Sequence, residues 1–104
     1  MEYLSPNCCW GGLAAGAAGG KVYALGGYNG SPTPLAANEE YDPVANGWAT
    51  KAGMTTLRYR LAAAAVGGKV YALGGDNGTV PVAANEEFDP AANGWTAKAA
   101  MPWW

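Results

Sequence analysis

The 104-residue sequence contains no histidine, only two cysteines and one phenylalanine, and just six basic and eight acidic side chains. Without histidine it lacks the commonest metal ligand and the side chain best suited to proton transfer near neutral pH, so no metal or cofactor is expected. Cys8 and Cys9 are adjacent, with no second pair to build an intrachain disulfide framework. They are expected to be reduced thiols in a short tail. The net charge of −2 and pI near 4.8 leave no basic patch for nucleic acid or an anionic membrane. No apolar run reaches the length of a membrane span. The opening "MEYLSPNCCWGG" has no apolar core of the secretory-signal kind, so a cytoplasmic location is expected.

What the chain does have is apolar residues and punctuation. Half of it is hydrophobic, and 16 glycines and 7 prolines interrupt it. That is too apolar for disorder and too broken for long helices. It is also repetitive. "LAAGAAGGKVYALGG" (13–27) returns as "LAAAAVGGKVYALGG" (61–75), and "AANEEYDPVANGW" (36–48) returns as "AANEEFDPAANGW" (83–95). The offset falls from 48 to 47 between the two matches, so the second unit has lost one residue from a loop.

Each unit reads as four short strands. The alanine run from Leu61 to Val66 has helical propensity, yet it is short and meets Gly67 and Gly68 before the β-rich "KVYAL". A diglycine between two apolar runs is a hairpin signal, so the run is assigned as strand. The third strand is "NEEYD" or "NEEFD", with Tyr41 and Phe88 equivalent. Turns built on Pro43, Asn46 and Gly47, and on Pro90, Asn93 and Gly94, lead to fourth strands starting at Trp48 and Trp95. The prediction is two four-stranded antiparallel meanders. The "KVYALGG" word is not a phosphate-binding loop: the G-x-x-x-x-G-K spacing is absent and no helix follows.

A diglycine closing the second strand, Tyr-Asp-Pro after the third, Trp opening the fourth and the lead-in "MTTLRYRLAAAA" together resemble the kelch repeat, over residues 13–104. The first lead-in departs from it: Trp10, Gly11 and Gly12 stand where the second has Arg58, Tyr59 and Arg60. Glu40 and Glu87 fill a strand position usually aliphatic in kelch repeats. The resemblance implies an all-β fold of two β-propeller blades, with residues 1–12 as tail and lead-in, 13–60 as the first blade and its connection, and 61–104 as the second. It also implies that Gly26, Gly27, Gly74 and Gly75 allow close backbone approach, while Tyr41, Phe88, Trp48 and Trp95 pack between blades. Truncating such a tryptophan to alanine is expected to cost about 3–5 kcal/mol.

Two blades cannot cover their own faces, and propellers use about 4–8. The chain is therefore expected to associate with itself, three copies closing a six-bladed ring through a head-to-tail interface. Kelch propellers usually bind proteins at the channel mouth, which the resemblance places at Tyr28, Asn29 and Ser31, at Asp76, Asn77 and Thr79, and at Arg58, Tyr59 and Arg60. "RYR" resembles mouth arginines that grip acidic peptides, and threefold symmetry would bring copies of Arg60 together. For Arg58, partnership with a third-strand glutamate such as Glu39 or Glu86 is the competing role. A kelch-like enzyme is disfavoured: oxidases of that kind need histidine ligands, and the adjacent glutamates of "NEE" point to opposite strand faces. The expected function is a self-assembling interaction scaffold, not an enzyme. The alternative is an amplified or engineered two-blade unit with no ligand.

Overall fold

A computed structural model describes residues 10–29, 36–58, 60–77 and 80–102, with the backbone alone for residues 10–12, 28 and 29. Eight strands follow one another: β1 (Trp10–Ala18), β2 (Lys21–Asn29), β3 (Asn38–Asp42), β4 (Gly47–Thr50), β5 (Ala62–Val66), β6 (Lys69–Leu73), β7 (Asn85–Asp89) and β8 (Gly94–Ala97). They form two four-stranded antiparallel sheets, β1-β2-β3-β4 and β5-β6-β7-β8. None of the described residues is helical. No helix is therefore long and apolar enough to cross a membrane among them.

The alanine run is strand β5. Gly67 and Gly68 turn it into β6 with φ of 59° and 81°, the mirror-image turn that matches strand twist and that glycine adopts without strain. The first strand is longer than the repeat suggests. Trp10 and Gly11 continue to pair with Asn29 and Tyr28, whereas the second lead-in turns at Arg60, φ 58°, to enter β5. Trp48 and Trp95 each follow a glycine that opens the strand.

Alternation along the strands gives each sheet two distinct faces. On the first sheet, Ala14, Gly16, Tyr23, Leu25, Asn38 and Glu40 share one face; Val22, Ala24, Glu39, Tyr41 and Trp48 share the other. The second sheet repeats both, with Tyr71, Leu73 and Glu87 on one side and Val70, Ala72, Glu86, Phe88 and Trp95 on the other. The core forms where unlike faces meet. Tyr23 and Leu25 pack with Val70, Ala72 and Phe88, joined by Met54 and Leu61 from the connection. Tyr23 and Phe88 meet edge to face, ring centroids 5.3 Å apart. Gly16 keeps this contact close: a Cβ there would lie 3.1 Å from Val70 Cγ1, which would have to give by a few tenths of an ångström.

The connection between the sheets is held from both sides. Trp95 Nε1 donates to the Ala52 carbonyl at 2.7 Å, and the Ala52 N–H donates to Asn93 Oδ1 at 2.9 Å. Asn38 Nδ2 donates to the same Ala52 carbonyl at 3.1 Å. Farther on, the Gly27 N–H donates to the Arg58 carbonyl at 3.0 Å. Gly26, φ 68°, is indispensable beside it, since a Cβ would lie 2.5 Å from that carbonyl oxygen and 2.8 Å from Leu61 Cδ2.

Candidate functional site

Two features could carry function: the loop end of the sheets, and the faces that the inner junction leaves uncovered. At the loop end, Arg58 carries its backbone on the first sheet and its side chain into the second. Nη1 donates to the carbonyls of Gly74 (2.9 Å) and Ala84 (3.0 Å); Nη2 donates to the carbonyl of Ala72 (3.2 Å) and to Glu86 Oε1 (2.8 Å). Thr55 and Thr56 hydroxyls also donate to Glu86 Oε2. The Arg58 side chain is 0% exposed. Burial pulls its guanidinium below the ordinary arginine value, and Glu86 opposes that shift by charge and hydrogen bonding. Of the two roles open to Arg58, the geometry is that of a glutamate partner joining two sheets. It leaves no terminal nitrogen directed at solvent, so Arg58 is not placed as a ligand contact.

Arg60 is different. It lies exposed just beyond, at the left-handed φ that turns the chain into β5. Asp76 bridges to Pro81, and Asn77 shapes its own loop, its Oδ1 accepting from the Val80 N–H at 3.0 Å. Arg60, Asp76 and Asn77 all make further polar interactions. Tyr28 and Asn29 are placed by their backbone at the end of β2, on the same end of the sheet as Gly27. Tyr59, Ser31, Thr79, Cys8 and Cys9 lie outside the described residues. The structure thus gathers Gly26, Gly27, Arg58, Arg60, Gly74, Gly75 and Asp76 at one end, with Arg60 its exposed cation.

The uncovered faces expose apolar side chains. Phe88 is 0% exposed, Val70 likewise, and Trp95 packs on the core. Among the described residues, no sheet lies over their counterparts Tyr41, Val22 and Trp48. Trp48 is 46% exposed, resting on Tyr41 at 5.1 Å. Trp48 therefore stacks within its own blade here, whereas Trp95 packs between blades. On the second sheet, Tyr71 and Leu73 are half-buried where Tyr23 and Leu25 are fully buried, and Val66 is 67% exposed.

Sequence reasoning missed what the atypical glutamates do. Tyr23 OH donates to Glu40 Oε2 at 2.8 Å, and Tyr71 OH to Glu87 Oε2 at 2.7 Å. Lys51 and Lys98 approach the same carboxylates at 3.7 and 3.9 Å. The signal was present: tyrosine at 23 and 71 sits directly across the ladder from glutamate at 40 and 87. At the opposite end, a crevice between the hairpin tips is lined by Lys21, Tyr23, Glu40, Lys69 and Asp89.

The kelch-motif family model matches residues 9–55 and again 57–102, one match per sheet. The chain belongs to the kelch family. Its two sheets are kelch blades, β1–β4 and β5–β8. The comparison with curated proteins finds no match. Among solved structures, one titled "Structure of YjhT" superposes with a TM-score of 0.80 at 15% identity, over 89% of this chain and 39% of that one. At that identity the likeness concerns the fold, and this kelch chain spans well under half the length of that structure.

Proposed function

We propose that this kelch chain is a two-blade unit of a protein-interaction scaffold, which closes a six-bladed propeller from three copies. The observation that carries the reading is the identity of the uncovered faces. The first blade leaves open the face that its repeat buries, with Val22, Tyr41 and Trp48 standing for Val70, Phe88 and Trp95. The second leaves open Tyr71 and Leu73, which stand for the buried Tyr23 and Leu25. A second copy can therefore repeat the inner junction head to tail, and such an interface must close by rotation or grow into filaments. The clasp on Ala52 has a counterpart as well. Trp48 and Asn46 of one copy would hold Ala99 of the next, since Asn85 Nδ2 already donates to the Ala99 carbonyl at 3.1 Å.

The differences between the faces favour the junction only slightly less. Ala64 stands where Gly16 does, adding a methyl against a valine that must give by a few tenths of an ångström. Because association would bury two large apolar faces, the midpoint of thermal unfolding should rise with protein concentration. Trp48→Ala should weaken that rise without unfolding the chain. A midpoint independent of concentration for both proteins contradicts the reading.

The loop end supplies the interaction surface, and Arg60 its cation, with acidic peptides as ligands. Such binding should weaken with salt, since exposed charges are screened over about 8–10 Å near physiological ionic strength. Titration of acidic peptides into the wild type and Arg60→Ala tests it, equal affinities rejecting the site.

A further inference from the structure

The two blades hold the first carboxylate of their third strand in different ways. In the second blade Glu86 is 4% exposed and satisfied by Arg58, Thr55 and Thr56. The guanidinium lies in a receptacle built from that carboxylate and the carbonyls of Ala72, Gly74 and Ala84. The first blade repeats the receptacle with Glu39 and the carbonyls of Ala24, Gly26 and Ala37. Ala24 stands opposite Glu39 as Ala72 stands opposite Glu86. The Gly26 N–H donates to the Ala37 carbonyl at 2.8 Å, as the Gly74 N–H does to Ala84 at 2.9 Å, with glycine φ of 68° and 66°.

The donors are not repeated. Trp10 aligns with Arg58 in the repeat and supplies no guanidinium, and its backbone continues β1 opposite Asn29. In a neighbouring copy, Pro102 and Trp103 hold the positions of Thr55 and Thr56, so that copy brings neither hydroxyl. Within the chain, Thr50 Oγ1 donates to Glu39 Oε1 at 3.0 Å across the outer ladder, a partner that Glu86 lacks because Ala97 stands opposite it. Covering this face with another blade takes Glu39 out of water, and a carboxylate removed from water with one hydroxyl donor and no cation is disfavoured.

We propose that the Glu39 end of the first blade is a guanidinium-binding receptacle, filled by an arginine side chain or a free guanidinium compound, and that filling it tightens the junction between copies. The second clause rests on the ring proposed above; the first does not. A guanidinium fits because the second blade uses two terminal nitrogens, each serving two acceptors. An ammonium carries its three donors on a single atom and cannot span that set.

The test is a titration followed by the backbone amide signals of β2 and β3, with three probes. They are N-acetylarginine amide, the peptide Thr-Thr-Leu-Arg-Tyr-Arg copied from residues 55–60, and that peptide with neutral citrulline in place of both arginines. The wild type should bind an arginine probe with shifts centred on Ala24, Gly26 and Ala37. Glu39→Gln should weaken binding about tenfold or more, the scale of a lost charge-assisted hydrogen bond. Equal response to both arginine probes assigns the site to free guanidinium compounds; response to the peptide alone assigns it to an arginine presented by a protein segment. No binding to the wild type, no loss in Glu39→Gln, or equal binding of the citrulline peptide overturns the proposal. Light scattering on the same samples separates the two ideas. Glu39-dependent binding by a monomer keeps the receptacle and removes the ring, whereas a trimer without such binding does the reverse.

Discussion

Tyr23 and Tyr71 are the same residue at the same place in two blades, each donating to the glutamate across its ladder. Their surroundings set them apart. Tyr23 is 1% exposed beneath the second blade, and burial is the main reason its phenol is pushed above the ordinary tyrosine value, with Glu40 adding to it. For Tyr71 the leading cause is the hydrogen bond to Glu87, with burial second. The contrast separates what a blade makes for itself from what a neighbour adds. Strand pairing, hairpins and the Tyr–Glu bond belong to each blade alone. Dry packing, the Ala52 clasp and the Arg58 bridge exist where two blades meet.

That comparison is broken most severely at the inner junction. Phe88→Ala empties a fully buried site against Tyr23 and should destabilise the chain by about 3–5 kcal/mol. Its counterpart Tyr41→Ala should lose the contact with Trp48 and the exposed hydrogen bond to Asn46 Oδ1, about 1–2 kcal/mol, in dilute solution where no second copy is bound. Urea titrations of both variants read the difference, and equal losses would mean the blades are not distinguished by their neighbours. Next comes Arg58→Met, which removes the cation from buried Glu86. Because the Thr55 and Thr56 hydroxyls still donate to Glu86, the cost should be near the lower end of that for a broken buried pair, about 3 kcal/mol. Glu39→Gln should be close to neutral in the dilute chain.

The smallest effect sharpens the opening contrast. With its folded-state value raised, the Tyr23 phenol stays protonated in the native chain at a pH where the unfolded chain has begun to lose its proton. The stability it contributes is fully present below about pH 10 and declines as pH rises from there toward the folded value. Tyr23→Phe should therefore flatten the alkaline fall in urea midpoint between about pH 8 and pH 11, and Tyr71→Phe should flatten it less. Equal slopes for the two variants would show that burial by the second blade adds nothing to Tyr23.

Much of the fold was legible because the repeat is nearly verbatim. Gly19–Gly20 and Gly67–Gly68 mark the hairpins, and Trp after Asn-Gly marks the outer strands, so the order of strands follows from local chemistry. The extension of β1 to Trp10 was not legible. Gly12, in place of Arg60, is free to keep the chain along β2, and sequence alone does not say which route it takes. The unequal fates of Trp48 and Trp95 were hidden for a different reason. The two residues have the same local words, and only the stacking of unlike faces decides which one is covered. Arg58 was legible as a glutamate partner by charge, but its grip on three carbonyls depends on where the connection crosses between blades.

The central claim is that the two uncovered faces are the halves of one junction and meet in a closed ring. Native mass spectrometry from non-denaturing solution tests it most directly. The account predicts a species at three times the 10.6 kDa chain mass, converted to monomer by Trp48→Asp. A dimer or tetramer would keep a closed ring and refute the six-blade count. A monomer at every concentration would contradict the account.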